Sequence, residues 1–92
     1  MSSDKVQKHK IICTELSDLY ERKNHDYGDS FHTTFEEEGM AMVRIRLSDK
    51  LNRLKSLTRQ GEQQMVADES IRDTLLDLAN YAIMTVIEMG DQ

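Results

Sequence analysis

The stretch that decides the fold is Asp68-Glu69-Ser70-Ile71-Arg72-Asp73-Thr74-Leu75-Leu76-Asp77-Leu78-Ala79-Asn80-Tyr81-Ala82-Ile83-Met84-Thr85-Val86-Ile87-Glu88-Met89. Projected at about 100° per residue, Leu76, Ile83 and Ile87 fall on one side, with Leu75, Leu78, Ala82 and Met89 roughly opposite. Ala79 and Val86 fill the gap between them, and Thr74, Tyr81 and Thr85 take most of the remaining arc. One narrow stripe is polar: Asp73, Asp77 and Asn80, at i, i+4 and i+7, turning apolar at Met84. A helix this apolar around its circumference is buried on several sides. Two partner helices within one short chain hardly cover it, so the stretch predicts a subunit interface and a homo-oligomer.

Working back toward the N-terminus, this third helix spans about 69–89, capped by Asp68 or by Ser70 with Asp73 as a Ser-x-x-Asp box. A short turn over 61–68 makes it the antiparallel neighbour of a second helix over about 35–60. Thr33-x-x-Glu36 and Thr34-x-x-Glu37 are capping-box patterns at its start. Met40, Val43, Leu47, Leu51 and Leu54 form its stripe, and Gly61 is a natural stop. Asn24 to Thr34 reads as a polar loop in which Gly28 supplies a positive φ. Its eleven residues exceed the two to eight usual between bundled helices, a length that hints at function. The first helix covers about 4–23, with Val6, Ile12, Cys13, Leu16, Leu19 and Tyr20 on one face, Asp4 at its start and Arg22 and Lys23 at its end. The expectation is an all-α, single-domain chain of three helices that completes a helical bundle by dimerisation.

Composition agrees with that class and excludes others. The 92 residues contain no Pro and four Gly, which favours long helices over strands. Hydrophobic residues make up 38% of the chain, too few to build a large monomeric core. A net charge of −5 argues against nonspecific DNA binding, which needs clustered cations, but leaves room for a local basic patch. One cysteine, Cys13, excludes an internal disulfide and reads as a helix core residue. No apolar run approaches a membrane span and no signal segment opens the chain, so a cytoplasmic location is expected.

The second helix carries a basic stripe, Arg46, Lys50 and Arg53, again at i, i+4 and i+7, with Asp49 beside it. Like charges on one stripe repel by a few tenths of a kcal/mol per pair, so something acidic should face them. Folding the hairpin about residues 64–65 sets Arg53 level with Leu76 and Asp77, Lys50 with Ala79 and Asn80, and Arg46 with Ile83. Two readings stay open. In one, the stripes are an interhelical salt-bridge network, or the basic stripe meets the loop or a partner subunit. In the other, Arg46, Lys50 and Arg53 bind phosphate oxygens, while Asp49, Asp73 and Asp77 hold Mg²⁺ or Mn²⁺, hard cations that take oxygen ligands. Asn24, Tyr27 and Asn80 would then contact the base or sugar. Glu36, Glu37 and Glu38 read as first-turn acids serving the helix dipole. Glu38 lies about 16 Å along the axis from Asp49. His25 and His32, with Asp26 and Asp29, read as exposed loop residues rather than a zinc site, which normally wants three or four ligands.

Three segments together carry a family resemblance: Lys23-Asn24-His25-Asp26-Tyr27-Gly28-Asp29-Ser30-Phe31, Arg46-Leu47-Ser48-Asp49-Lys50-Leu51-Asn52-Arg53-Leu54, and Asp68 through Tyr81. In order and spacing they resemble the nucleotide modification associated domain family of phages and bacteria, over about Glu15 to Met89. The resemblance implies a role in nucleotide metabolism or DNA-base modification, in a phage setting and hence the host cytoplasm. More distantly the chain is similar to the MazG-type all-α nucleoside triphosphate pyrophosphohydrolases. That similarity implies a helical oligomer whose paired acidic motifs hold Mg²⁺. Here Asp73 and Asp77 stand four apart rather than three, and the second helix has no Glu-x-x-Glu in its middle. The expected function is nucleotide binding, with metal-dependent release of pyrophosphate as its reaction. The alternatives are a noncatalytic accessory module of a nucleotide-modifying system and a structural interaction domain.

Overall fold

The structure, a computed structural model, describes residues 2–24, 29–59 and 64–90, with side chains described for 4–24, 29–59 and 69–90. It is all-α, with no strand among the described residues. Among the described residues four helices, not the expected three, follow one another: α1 (Ser2–Lys23), α2 (Ser30–Glu38), α3 (Met40–Arg59) and α4 (Gln64–Met89).

The extra break is made by Gly39. Its φ of 65° and ψ of −147° lie in a region that essentially only glycine occupies. Its N–H donates to the Phe35 carbonyl at 2.8 Å and its carbonyl accepts from the Met42 N–H at 3.2 Å. One helix therefore ends and the next begins within a single residue. A Cβ built on Gly39 would meet nothing within 4 Å, so the backbone conformation, not space, demands glycine.

That corner overturns the expected caps. Thr33 and Thr34 are not helix starts but lie inside α2, where their hydroxyls donate back to the carbonyls of Asp29 (3.2 Å) and Ser30 (3.0 Å). Glu36, Glu37 and Glu38 occupy the last turn of α2 rather than a first turn, at the dipole end where acids are disfavoured. Ser70 likewise lies inside α4, which starts at Gln64, and its carbonyl accepts the Thr74 hydroxyl at 2.7 Å. Gly28 and Gly61, assigned a turn and a stop, lie outside the described residues.

Phe31, assigned to a polar loop, is the centre of the core. It is buried with Met42, Val43 and Met84, and Tyr20, Phe35, Leu47 and Tyr81 pack against that cluster. The Phe31 ring centroid stands 5.8 Å from that of Tyr81 and 6.4 Å from that of Phe35, separations at which aromatic pairs attract beyond simple burial. The α3–α4 hairpin is antiparallel, as expected, with side-chain contacts two to three residues from the expected register. Lys50 meets Asp77, and Met42 and Val43 cluster with Met84.

α1 lies on α4 through Leu16, which is buried. The buried Asn80 amide donates to the Leu16 carbonyl at 3.2 Å. Two parallel hydrogen bonds from Arg72 to Glu15, at 2.7 and 2.8 Å, tie the same pair of helices. α4 buries Thr74, Asn80, Met84 and Thr85 but leaves Leu75, Ile83, Val86 and Ile87 between 46% and 65% exposed. No helix among the described residues is long and apolar enough to cross a membrane.

Candidate functional site

α1, α3 and α4 converge on a cavity of about 330 Å³ lined by Leu19, Lys23, Arg53, Ser70, Asp73, Thr74, Leu76 and Asp77. Its volume is at the low end of the range of small-molecule sites. Helical spacing builds each wall. Asp73 and Asp77, one turn apart on α4, present two carboxylates, and Ser70 and Thr74 stand on the same side. Leu19 and Lys23, again one turn apart, form the α1 wall, and Arg53 closes the α3 side. Leu19 and Leu76 supply the apolar part of the lining.

Lys50 and Asp77 form an ion pair, Nζ to Oδ2 at 3.1 Å, with side chains only 26% and 22% exposed. The same Nζ lies 6.0 Å from the centroid of the Tyr81 ring, within reach of a cation–π attraction. At this pair, then, the two stripes meet as an interhelical salt bridge. Arg53 and Asp73 both line the cavity and neither makes an ion pair among the described residues.

The other sequence candidates are dispersed. Arg46 and Asp49 are exposed on α3 and do not line the cavity. Asp49 therefore does not join Asp73 and Asp77, and among the described residues no three His, Cys, Asp or Glu side chains are grouped as a metal ion would need. Asn80 turns away to α1, where its amide is engaged with Leu16, and it borders a separate groove with Cys13, Tyr20, Ile83 and Ile87. Asn24 follows Lys23. Its side chain donates to Asp29 Oδ1 at 3.5 Å, and its carbonyl accepts the Asp29 N–H at 3.0 Å. Tyr27 and His25 lie outside the described residues.

Lys23 is the cavity residue that sequence reasoning missed. It was assigned to the helix dipole, although its spacing of four from Leu19 and seven from Leu16 already set it on the face α1 turns to α4. His32, expected in a loop, lies on α2 between two carboxylates: Nδ1 at 2.7 Å from Glu88 and Nε2 at 3.4 Å from Glu36. The hydrogen bond to Glu88 and its charge, followed by the charge of Glu36, push the imidazole pKa up from its ordinary value. Across the α1–α4 contact, the hydrogen bonds from Arg72 hold the Glu15 carboxyl below the usual range.

Comparison with known proteins identifies a family. Residues 23–89 match the profile of the family described as nucleotide modification associated domain 1, a span that begins at Lys23 and takes in Arg53, Asp73 and Asp77. No curated protein and no solved structure matches the chain significantly.

Proposed function

The chain belongs to the nucleotide modification associated domain 1 family, and from that premise we propose that it binds a nucleoside or deoxynucleoside triphosphate in the cavity between α1, α3 and α4. One observation carries the reading: Arg53 shares a 330 Å³ cavity with Lys23, Asp73 and Asp77. Two cations beside two carboxylates suit a polyphosphate accompanied by a divalent ion. Lys23 and Arg53 take the phosphate oxygens, with Lys50 and Arg46 further along α3. Asn24 and Tyr27, in the segment that follows Lys23, are assigned to the sugar or base.

Asp73 and Asp77 fit Mg²⁺ or Mn²⁺, because Mg²⁺ typically uses one or two protein carboxylates and completes its shell with substrate phosphates and water. When bound, such an ion neutralises phosphate charge and polarises the phosphoryl oxygens. The distant similarity to MazG-type enzymes suggests the reaction, in which water attacks a phosphoanhydride to give a nucleoside monophosphate and pyrophosphate. The Lys50–Asp77 ion pair favours a second reading, in which one carboxylate stays engaged by protein and the domain binds nucleotide without turnover, as an accessory to a modifying enzyme. In either reading we place the protein in the host cytoplasm as a homo-oligomer.

The test is calorimetric titration with a panel of ribo- and deoxynucleoside triphosphates plus Mg²⁺, with products separated by chromatography. Arg53→Ala should weaken binding at least about tenfold, the scale of one lost charged hydrogen bond. Asp73→Asn should remove the dependence on metal. Monophosphate and pyrophosphate from wild type but not from Asp73→Asn select the hydrolase. Binding without products selects the accessory module, and no binding by any triphosphate overturns both.

A further inference from the structure

The α3 face that meets α4 carries one residue out of keeping with its place. Val43, Leu47, Lys50 and Leu54 step by four, three and four residues, a spacing that keeps them on the side of a helix turned to its neighbour. All four are buried or half-buried, and Val43 and Leu47 belong to the apolar core and its margin. At the third place stands a lysine. An ammonium withdrawn from water costs desolvation that a leucine would avoid, so packing alone does not explain Lys50.

Two groups on α4, one turn apart, fix where that charge sits. The Lys50 Nζ donates to Asp77 Oδ2 at 3.1 Å, in a pair whose side chains are only 26% and 22% exposed. It also stands 6.0 Å from the centroid of the Tyr81 ring, which packs in turn on Phe31 of the core. Asp77 lines the cavity with Asp73, whereas Lys50 is not part of its wall. The ammonium therefore reaches the carboxylate from the α3–α4 seam, while the cavity opens on another side of it.

A divalent cation that comes alone meets that ammonium. To use Asp77 it must displace Nζ or sit beside it, and like charges this close repel, the more so where water is partly excluded. A cation that comes with a polyphosphate brings anionic oxygens that offset the ammonium and complete its own shell. We propose that Lys50 is a positioning residue for metal entry: a tethered counter-ion that keeps Asp77 from a free divalent cation and admits the cation together with nucleotide phosphates. The proposal rests on the reading that Asp73 and Asp77 take a metal beside a triphosphate, and adds the order in which the two arrive.

The experiment measures Mn²⁺ binding by electron paramagnetic resonance, in which the signal of the free aqua ion falls as the ion binds, first without nucleotide. Lys50→Met keeps an unbranched apolar stem in the seam and removes the charge. It should bind Mn²⁺ at least about tenfold more tightly than wild type, because the charge count around a hard cation tunes its affinity. Lys50→Arg should match wild type, and Asp77→Asn placed in the Lys50→Met chain should cancel the gain. With the triphosphate that wild type binds best also present, the difference between wild type and Lys50→Met should shrink. An ion pair that only fixes the hairpin predicts the opposite, since removing Lys50 then leaves Mn²⁺ affinity unchanged or lowers it. Circular dichroism checks that the variants stay helical, and Lys50→Gln, also uncharged, takes the place of Lys50→Met if that chain does not fold. Unchanged or weaker Mn²⁺ binding by the uncharged variant, with triphosphate binding intact, overturns the counter-ion and leaves the proposed function standing. No triphosphate bound by wild type, together with no Mn²⁺ bound by any variant, overturns both.

Discussion

The corner where α2 and α3 turn onto α4 and the leading half of α1 both carry large apolar side chains, yet only the corner buries them. Phe31, Met42, Val43 and Met84 are 3–5% exposed, while Val6, Ile11 and Ile12 stand 41–66% exposed. Hydrophobicity alone does not decide burial in this chain. What decides it is whether a second element returns to cover the residue, and Gly39 makes that return possible at one end of α4. The proposed nucleotide cavity lies on the boundary between the two regimes, with α3 and α4 as its firm walls and α1 as its third. A site on such a boundary can have its α1 wall shifted at less cost than its α3–α4 walls, because local stability follows the density of buried contacts.

The largest effect that would break this contrast comes from the corner. Phe31→Ala should cost about 3–5 kcal/mol, the range for removing a buried Phe side chain, measured as the loss of unfolding free energy in urea. A cost below about 1 kcal/mol, the scale of an ordinary surface change, would place the core elsewhere. Next comes Gly39→Ala, which forces an L side chain into the glycine-only region and should cost about 1–3 kcal/mol. Since a Cβ there meets nothing within 4 Å, a neutral result would mean that the corner relaxes and that glycine is not what closes it.

The same contrast explains how much of the molecule could be read in advance. The all-α class, the antiparallel α3–α4 hairpin and the exposure left on α4 follow from helical spacing, because a helix that is apolar all round needs more cover than one short chain holds. The Gly39 corner was hidden because Glu36, Glu37 and Glu38 continue a plausible helix pattern on either reading. Only the backbone shows that they end a helix instead of opening one. Phe31 was lost for the same reason, lying with Tyr27 inside a polar run of eleven residues. In the site, Asp73, Asp77 and Arg53 were legible as stripes that share a height. Which of the stripe residues share a cavity depends on axial rotation, and spacing does not fix rotation. That is why Asp49, Arg46 and Asn80 turn elsewhere and Lys23 enters from α1.

The smallest expected effects are two dependences on pH of opposite sign, one at the corner and one at the α1–α4 contact. Both ring nitrogens of His32 face carboxylate oxygens, Glu88 at 2.7 Å and Glu36 at 3.4 Å. A neutral imidazole donates from only one nitrogen, so the arrangement favours the protonated ring, in line with its raised pKa. For a group whose folded pKa is raised, the contribution to stability is complete below the unfolded value, about 6.5 for His. It is lost as the pH rises through the folded value. The melting temperature of wild type should therefore fall slightly from pH 6 upward, and His32→Gln should flatten that slope, the difference isolating His32 from the other histidines. Glu15 runs the other way. Its lowered pKa gives stability above the unfolded carboxyl value, lost as the pH falls through the folded one, so Arg72→Gln should reduce the acid sensitivity of the α1–α4 contact. Both pairs reach into solvent and are screened, which keeps each effect small. If wild type and His32→Gln show parallel melting curves between pH 6 and 8, the imidazole does not bridge α2 to α4, and the corner is held by its apolar cluster alone.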